Sequence, residues 1–169
     1  MSIDPRLFRQ TVGQFATGVT IITIGSGDTT RAMTVNSFTA VSLDPPLVLF
    51  CVGKATRTGQ SIHGAGGFAV NILRQEQQDL STYFAGGWTH PLPPPFVFLQ
   101  WEGGPRLEGC AAAIGCSIET IHDGGDHWIV VGRVLALYRT AYAAPLIFHA
   151  SRYASLGATF ETEILVSGF

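Results

Sequence analysis

The sequence predicts a mainly β protein, a barrel of six antiparallel strands with a few short helices. Runs of β-branched and aromatic residues begin at Val19, Thr29, Leu47, Phe68, Ala111 and Trp128, and such residues suit a pleated, half-buried surface. Clusters of Gly, Pro, Asp and Asn separate these runs, and the helical periods between them are short. Hydrophobic residues make up 46% of the 169 positions and charged ones 13%, about half the usual quarter. An open sheet of that composition would present apolar edges, which closure into a barrel removes.

Along the chain, Asp4 before Pro5 reads as an N-cap and first helical residue, and Phe8, Val12, Phe15 and Ala16 recur at helical spacing, giving a helix with one apolar face that stops near Gly18. Val19 to Ile24 and Thr29 to Val35 flank the turn cluster Gly25-Ser26-Gly27-Asp28 and so predict a hairpin. Leu47 to Val52 is a strand after the proline pair. Ala55 to Ile62 is a short polar helix, which glycines at 64, 66 and 67 end before the strand Phe68 to Leu73. Glu76 to Phe84 is a second such helix. Gly86 to Pro95, with three consecutive prolines, permits neither helix nor ladder and predicts a long loop. Ala111 to Ile121 and Trp128 to Tyr138 form a hairpin around the glycine-containing turn His122 to His127.

Composition narrows the function. A chain of this length is expected to form one domain over residues 1–169, burying about 70% of the surface its unfolded form exposes. A net charge of −2 leaves little field to attract nucleic acid. The start MSIDPRLFRQ has no signal-peptide core, and no run approaches the roughly 18 apolar residues of a membrane helix; the expectation is a cytoplasmic protein without a membrane partner. Too few charges to cover the surface point to an apolar interface with a second copy, a homodimer. Cys51, Cys110 and Cys116 are read as small hydrophobes, not disulfide partners. His63, His90, His122, His127 and His149 show no metal-ligand spacing, so no metal is expected. No glycine-rich phosphate loop opens a helix, so a nucleotide would need another cradle.

The segment Arg31 to Leu49, RAMTVNSFTAVSLDPPLVL, carries the chemistry. Thr34, Asn36, Ser37, Thr39 and Ser42 sit among strand-forming apolar residues. A buried polar group left unpaired costs about 1–3 kcal/mol. Such a run therefore implies either cross-strand pairing or a polar ligand lying on the strand Thr34 to Ser42.

Several stretches together resemble the short-chain flavin reductases, the reductase components of two-component flavin monooxygenases. They are FRQTVGQFATGVTIIT (Phe8 to Thr23), MTVNSFTAVSLDPPLVLFCV (Met33 to Val52), KATRT (Lys54 to Thr58), FAVNIL (Phe68 to Leu73), Phe84-Ala85-Gly86 and GDHWIVVGRV (Gly125 to Val134). The resemblance spans nearly the whole chain. It implies a six-stranded antiparallel split β-barrel of the FMN-binding, Greek-key type. It also implies transfer of a hydride from NADH or NADPH to FAD or FMN, with the reduced flavin passed to a separate oxygenase.

Carried onto this chain, the resemblance places Thr34, Val35, Asn36, Ser37, Cys51 and Phe84 about the flavin ring and ribityl chain, with Lys54, Thr56 and Thr58 at its phosphate and Ser42 in reach of it. Arg57 could equally point into water. Asp126 and His127, together with Arg152 and Tyr153, fall where the nicotinamide nucleotide binds; no residue is assigned as an acid or base, because hydride transfer needs close stacking above all. Where relatives have two serines this chain has Asn36-Ser37, and where they have Lys-Ser-Ser-x-Thr it has Lys54-Ala55-Thr56-Arg57-Thr58, which leaves the choice between FAD and FMN open. The alternative is a protein of this fold that keeps FMN as an electron relay without turnover. A barrel binding pyridoxal phosphate or haem is a further one.

Overall fold

The computed structural model describes residues 3–158. Its elements in chain order are α1 (Pro5–Val12), β1 (Thr17–Gly18), β2 (Thr20–Ile24), β3 (Arg31–Val35), β4 (Thr39–Leu43), β5 (Pro46–Gly53), α2 (Arg57–Ser61), β6 (Gly67–Ile72), α3 (Gln78–Phe84), β7 (Phe98–Leu99), β8 (Arg106–Leu107), β9 (Ala112–Gly124), β10 (His127–Arg139), β11 (Ile147–His149) and β12 (Arg152–Ala154). Seven of the strands form one antiparallel sheet in the order β3-β2-β6-β9-β10-β5-β4. Strands β1, β11 and β12 form a second small sheet, and β7 pairs with β8.

All six predicted strand starts lie in or within two residues of strands of the main sheet, which therefore is mainly β and antiparallel as expected. The count differs. The polar run Thr34 to Ser42 is two strands, because β3 ends at Val35 and β4 begins at Thr39. These two are the opposite edges of the seven-stranded sheet, and no ladder joins them among the described residues, so a closed six-stranded barrel is not what forms. The sheet nevertheless curls. The link of residues 36–38 spans at most about 14 Å, which holds the two edges near one another. In addition, Phe50 of β5 meets Phe68 of β6 with ring centroids 4.9 Å apart, although three ladders separate those strands.

Two apolar cores flank the sheet, and side-chain alternation assigns residues to each. Ile22, Ile24, Phe50, Val52, Phe68, Val70, Cys116 and Val130 fill the inner core. Val19, Ile21, Leu73, Leu80, Leu107, Cys110 and Ala113 fill the other. Strands β2 and β6 are buried on both faces, which accounts for the unbroken β-branched run TIITI. Asn71 lies fully buried on the outer side of β6 and is satisfied there: its Nδ2 donates to Ile21 O at 3.0 Å and Thr23 Oγ1 at 3.3 Å, and its Oδ1 accepts from Leu107 N at 2.7 Å.

The helices are shorter than their sequence periods. Asp4 caps α1 by accepting from Arg6 N at 2.9 Å, but Gly13 ends the helix, leaving Phe15 and Ala16 beyond it. None of its residues is buried; Phe8 and Phe15 are 57% and 77% exposed. The predicted helix Ala55 to Ile62 contracts to α2 because Thr56 serves as its cap. The predicted turn of residues 122–127 also shrinks. Strands β9 and β10 run up to Gly124 and from His127, so only Gly125 and Asp126 turn the chain, with Gly125 at φ +79°. The three cysteines are free thiols, and burial pushes Cys116 up to about 12. No helix among the described residues is long and apolar enough to cross a membrane.

Candidate functional site

The end of β5, the start of α2 and the tip of the β9–β10 hairpin converge. The ladder sets His127 opposite Gly53, and Lys54 N donates to Asp126 O at 3.0 Å, so the chain leaving β5 is fastened to the hairpin tip. Gly53 lies between two side chains: a Cβ there would stand 3.4 Å from Thr56 Cγ2 and 3.7 Å from His127 Nε2. The Thr56 hydroxyl donates to Gly53 O at 2.8 Å and accepts from Gly59 N at 3.0 Å. Its two hydrogen bonds are thus local. Thr58 is buried, while Arg57 faces solvent.

Charge gathers at this tip. The Lys54 ammonium contacts Asp123 Oδ2 at 2.5 Å and lies 4.4 Å from the centroid of the Trp128 ring. Hydrogen bonding from Lys54, helped by Gly125 N at 3.1 Å, holds the Asp123 carboxyl below its ordinary value. Asp126 Oδ1 lies 2.7 Å from His127 Nδ1, and that hydrogen bond lowers the Asp126 carboxyl likewise. With Nδ1 held by the carboxylate, Nε2 is the nitrogen His127 presents to a ligand. His63 packs edge-on against Trp128 with centroids 4.7 Å apart.

The remaining candidates lie along the seam between the sheet edges. Ser37 Oγ donates to Cys51 O at 3.1 Å and accepts from Cys51 N at 3.0 Å, so it bridges the link to β5 as a strand would. Thr34 Oγ1 donates to Ser81 O at 2.7 Å, and Ser81 Oγ contacts the Tyr153 hydroxyl at 2.8 Å. Tyr153 of β12 is thereby joined to Thr34 through α3. Val35 is buried, Cys51 and Ser42 are half-buried, and Asn36 is exposed. Among the described residues, the Asn36 and Ser42 side chains have no protein hydrogen bond, so these two keep polar atoms to offer.

Two placements differ from the expected grouping. Phe84 sits against the outer core, edge-on to Tyr83 and Phe96 at 4.9 and 5.0 Å. Arg152 is exposed on β12 opposite His149, whereas Asp126 and His127 are at the hairpin tip, so one chain holds the four nucleotide candidates in two places. A cleft of about 1040 Å³ lined by residues such as Ser26, Arg31, Ser61, Trp101 and Leu135 includes none of the candidates.

Sequence reasoning missed Asp123, Trp128, His63 and Ser81. For the first two the signal lay in the turn. Reading Gly125-Asp126 as a two-residue connection sets Asp123 directly opposite Trp128, beside the strand end that carries Lys54.

Comparison with known proteins identifies the family. Residues 12–157 match the family described as flavin reductase like domain. The reductase subunit of a flavin-dependent monooxygenase from Rhodococcus jostii is 42% identical over 159 residues, covering 92% of this chain and 80% of that protein. An NADH-dependent FMN reductase from Streptomyces nodosus subsp. asukaensis is 42% identical over 158 residues, covering 88% and 83%. The solved structure of a Streptomyces globisporus NADH:FAD oxidoreductase in complex with NAD and FAD fragments superposes with a TM-score of 0.81 at 35% identity, covering 93% of this chain and 97% of that one. With the family match running from the end of α1 to the residues just beyond β12, the chain belongs to the flavin reductase like domain family.

Proposed function

We propose that this chain is an NAD(P)H-dependent flavin reductase, moving a hydride from NADH or NADPH to FAD or FMN and supplying reduced flavin to a separate oxygenase. One observation carries the reading: Lys54, Gly53 and His127 meet at the hairpin tip, at the end of the strand whose Cys51 is bonded to Ser37, next to the exposed Asn36. That gives an amide for a ring edge along the seam, and at its end a cation for a phosphate with an imidazole at the same hairpin tip.

The residues fit a flavin on this ground. Asn36 and the backbone of residues 35–37 would hydrogen-bond the pyrimidine edge, and Lys54, with Arg57 in reach of solvent, would take the phosphate. Ser42, whose hydroxyl has no partner among the described residues, would offer it to the same ligand. Thr34, Ser37 and Thr56 act one step back, since their hydroxyls hold Ser81, Cys51 and the α2 cap. Thr58, Val35 and Cys51 shape the wall. A bound flavin supplies the hydride acceptor. His127 contributes Nε2 to the nucleotide, and Asp126 fixes the imidazole plane through Nδ1.

Several finer statements belong to the same proposal. The chain works as one domain, and its curled sheet corresponds to the split barrel that the resemblance implies. It is a cytoplasmic homodimer that binds neither nucleic acid nor membrane. The apolar face of α1 and the exposed Leu135 and Leu137 support a second copy. The test is direct. Purified protein mixed with NADH or NADPH and free FMN or FAD should consume the nucleotide, followed as loss of its reduced-nicotinamide absorbance. Failure with every pairing refutes the proposal, and a yellow protein that keeps FMN through dialysis yet oxidises no nucleotide identifies an electron relay instead.

A further inference from the structure

The Lys54–Asp123 contact poses a problem for any anionic ligand. Lys54 is the cation offered to a phosphate, yet its ammonium already has a carboxylate at 2.5 Å. Gly125 N holds the other oxygen of that carboxylate at 3.1 Å, so Asp123 is fixed in place although it is 69% exposed. An incoming phosphate must therefore share the ammonium with a like charge.

Asp123 is not the sole contact that places Lys54. The lysine backbone is tied by its N–H to Asp126 O at 3.0 Å, and its head lies over the Trp128 ring at 4.4 Å, whose edge His63 supports. The first contact fixes the main chain of Lys54 and the second steadies its ammonium, and neither involves Asp123. What Asp123 adds is charge: it neutralises the ammonium and repels the group the ammonium is there to bind.

We propose that Asp123 is an affinity-limiting counter-charge at the phosphate contact, a specificity-determining residue that keeps phosphorylated flavin only loosely held. This rests on the reading of Lys54 as the phosphate contact. A reductase that passes reduced flavin to another protein must release it, and a screened cation recognises the phosphate without retaining it.

The experiment compares dissociation constants for FMN and for riboflavin, which lacks the phosphate, by flavin fluorescence with wild type, Asp123→Asn, Asp123→Glu and Lys54→Met. Asp123→Asn should tighten FMN by up to about fivefold, the span of an exposed ion pair, and steepen the salt dependence of FMN binding. Riboflavin affinity should stay as in wild type, and Asp123→Glu should restore the wild-type FMN value. If Asp123→Asn weakens FMN or leaves it unchanged while Lys54→Met weakens FMN selectively, the phosphate contact stands and the counter-charge role falls. If Lys54→Met affects FMN and riboflavin alike, the phosphate reading itself fails and takes the proposal with it.

Discussion

Gly59→Ala should damage the site through the backbone. Gly59 is buried at the third residue of α2, and a Cβ there would lie 2.1 Å from Gly53 O and 3.2 Å from Thr56 Oγ1. Ordinary contact begins beyond 3 Å, so α2 must back away from the end of β5 by roughly 1 Å. That movement pulls on the Thr56 cap and on the Lys54 turn between them. Replacing glycine in a helix gains about 0.5–1 kcal/mol, whereas overpacking against backbone costs typically 1–3 kcal/mol, occasionally more. The contact is with a carbonyl, not a flexible side chain, so the upper end applies and the net loss is about 2–2.5 kcal/mol, or roughly 4–10 °C in Tm for a domain of this size. Gly64→Ala is the control, because nothing lies within 4 Å of its Cβ position. Thermal and urea unfolding of both variants, with the Michaelis constant for flavin measured alongside, decide the matter. A Gly59→Ala protein as stable as Gly64→Ala, with unchanged flavin kinetics, would refute the claim that this close approach builds the site.

Asn36→Ala should weaken flavin binding by about 0.5–1.5 kcal/mol, roughly two- to twelvefold, without loss of stability, whereas Ser37→Ala should lower stability by about 1–3 kcal/mol because both polar groups of Cys51 lose their partner; titration calorimetry and urea midpoints separate the two. His127→Ala should raise the Michaelis constant for the nucleotide by about two- to twelvefold and that for flavin less, and equal effects would contradict its assignment. Thiol labelling of the native protein should modify Cys51 first, leaving Cys110 and Cys116 to react only on unfolding, since both are fully buried and Cys116 is pushed up to about 12; three fast thiols would contradict the packing. Arg133 binds Glu119 through two hydrogen bonds of 2.8 and 2.9 Å and lowers its carboxyl. A depressed acid stabilises above its unfolded value and loses that effect as pH falls through the folded one, so the gap in urea midpoint between wild type and Glu119→Gln should be present at neutral pH and close in acid; a widening gap would reverse the sign.

How much of this was legible beforehand depended on local pattern. Period-2 alternation and β-branched runs located the main strands, because each of those choices is made within a few residues. Asp4-Pro5 gave the start of α1 for the same reason. The break at residues 36–38 was not legible: Asn36, Ser37 and Phe38 are compatible with a strand, and only the distant carbonyl and amide of Cys51 turn Ser37 into a bridge. The Lys54–Asp123 pair was hidden for a related reason, since 69 residues separate its members and only the registers of β5 on β10 and of β10 on β9 together bring them side by side. Thr34 and Thr56 were assigned to the flavin and its phosphate, whereas their hydroxyls bond to backbone groups of Ser81, Gly53 and Gly59, partners that the sequence does not name.

Asn71 has a consequence for how the chain finds its fold. Shifting β6 by one position would rotate this amide from its three partners into the inner core among Ile22, Phe50 and Val130. A mispaired ladder thus carries its own penalty, and a nascent chain that docks one step out of line has reason to detach and try again. The side chain works as a proofreader of strand alignment as well as a member of the finished interior.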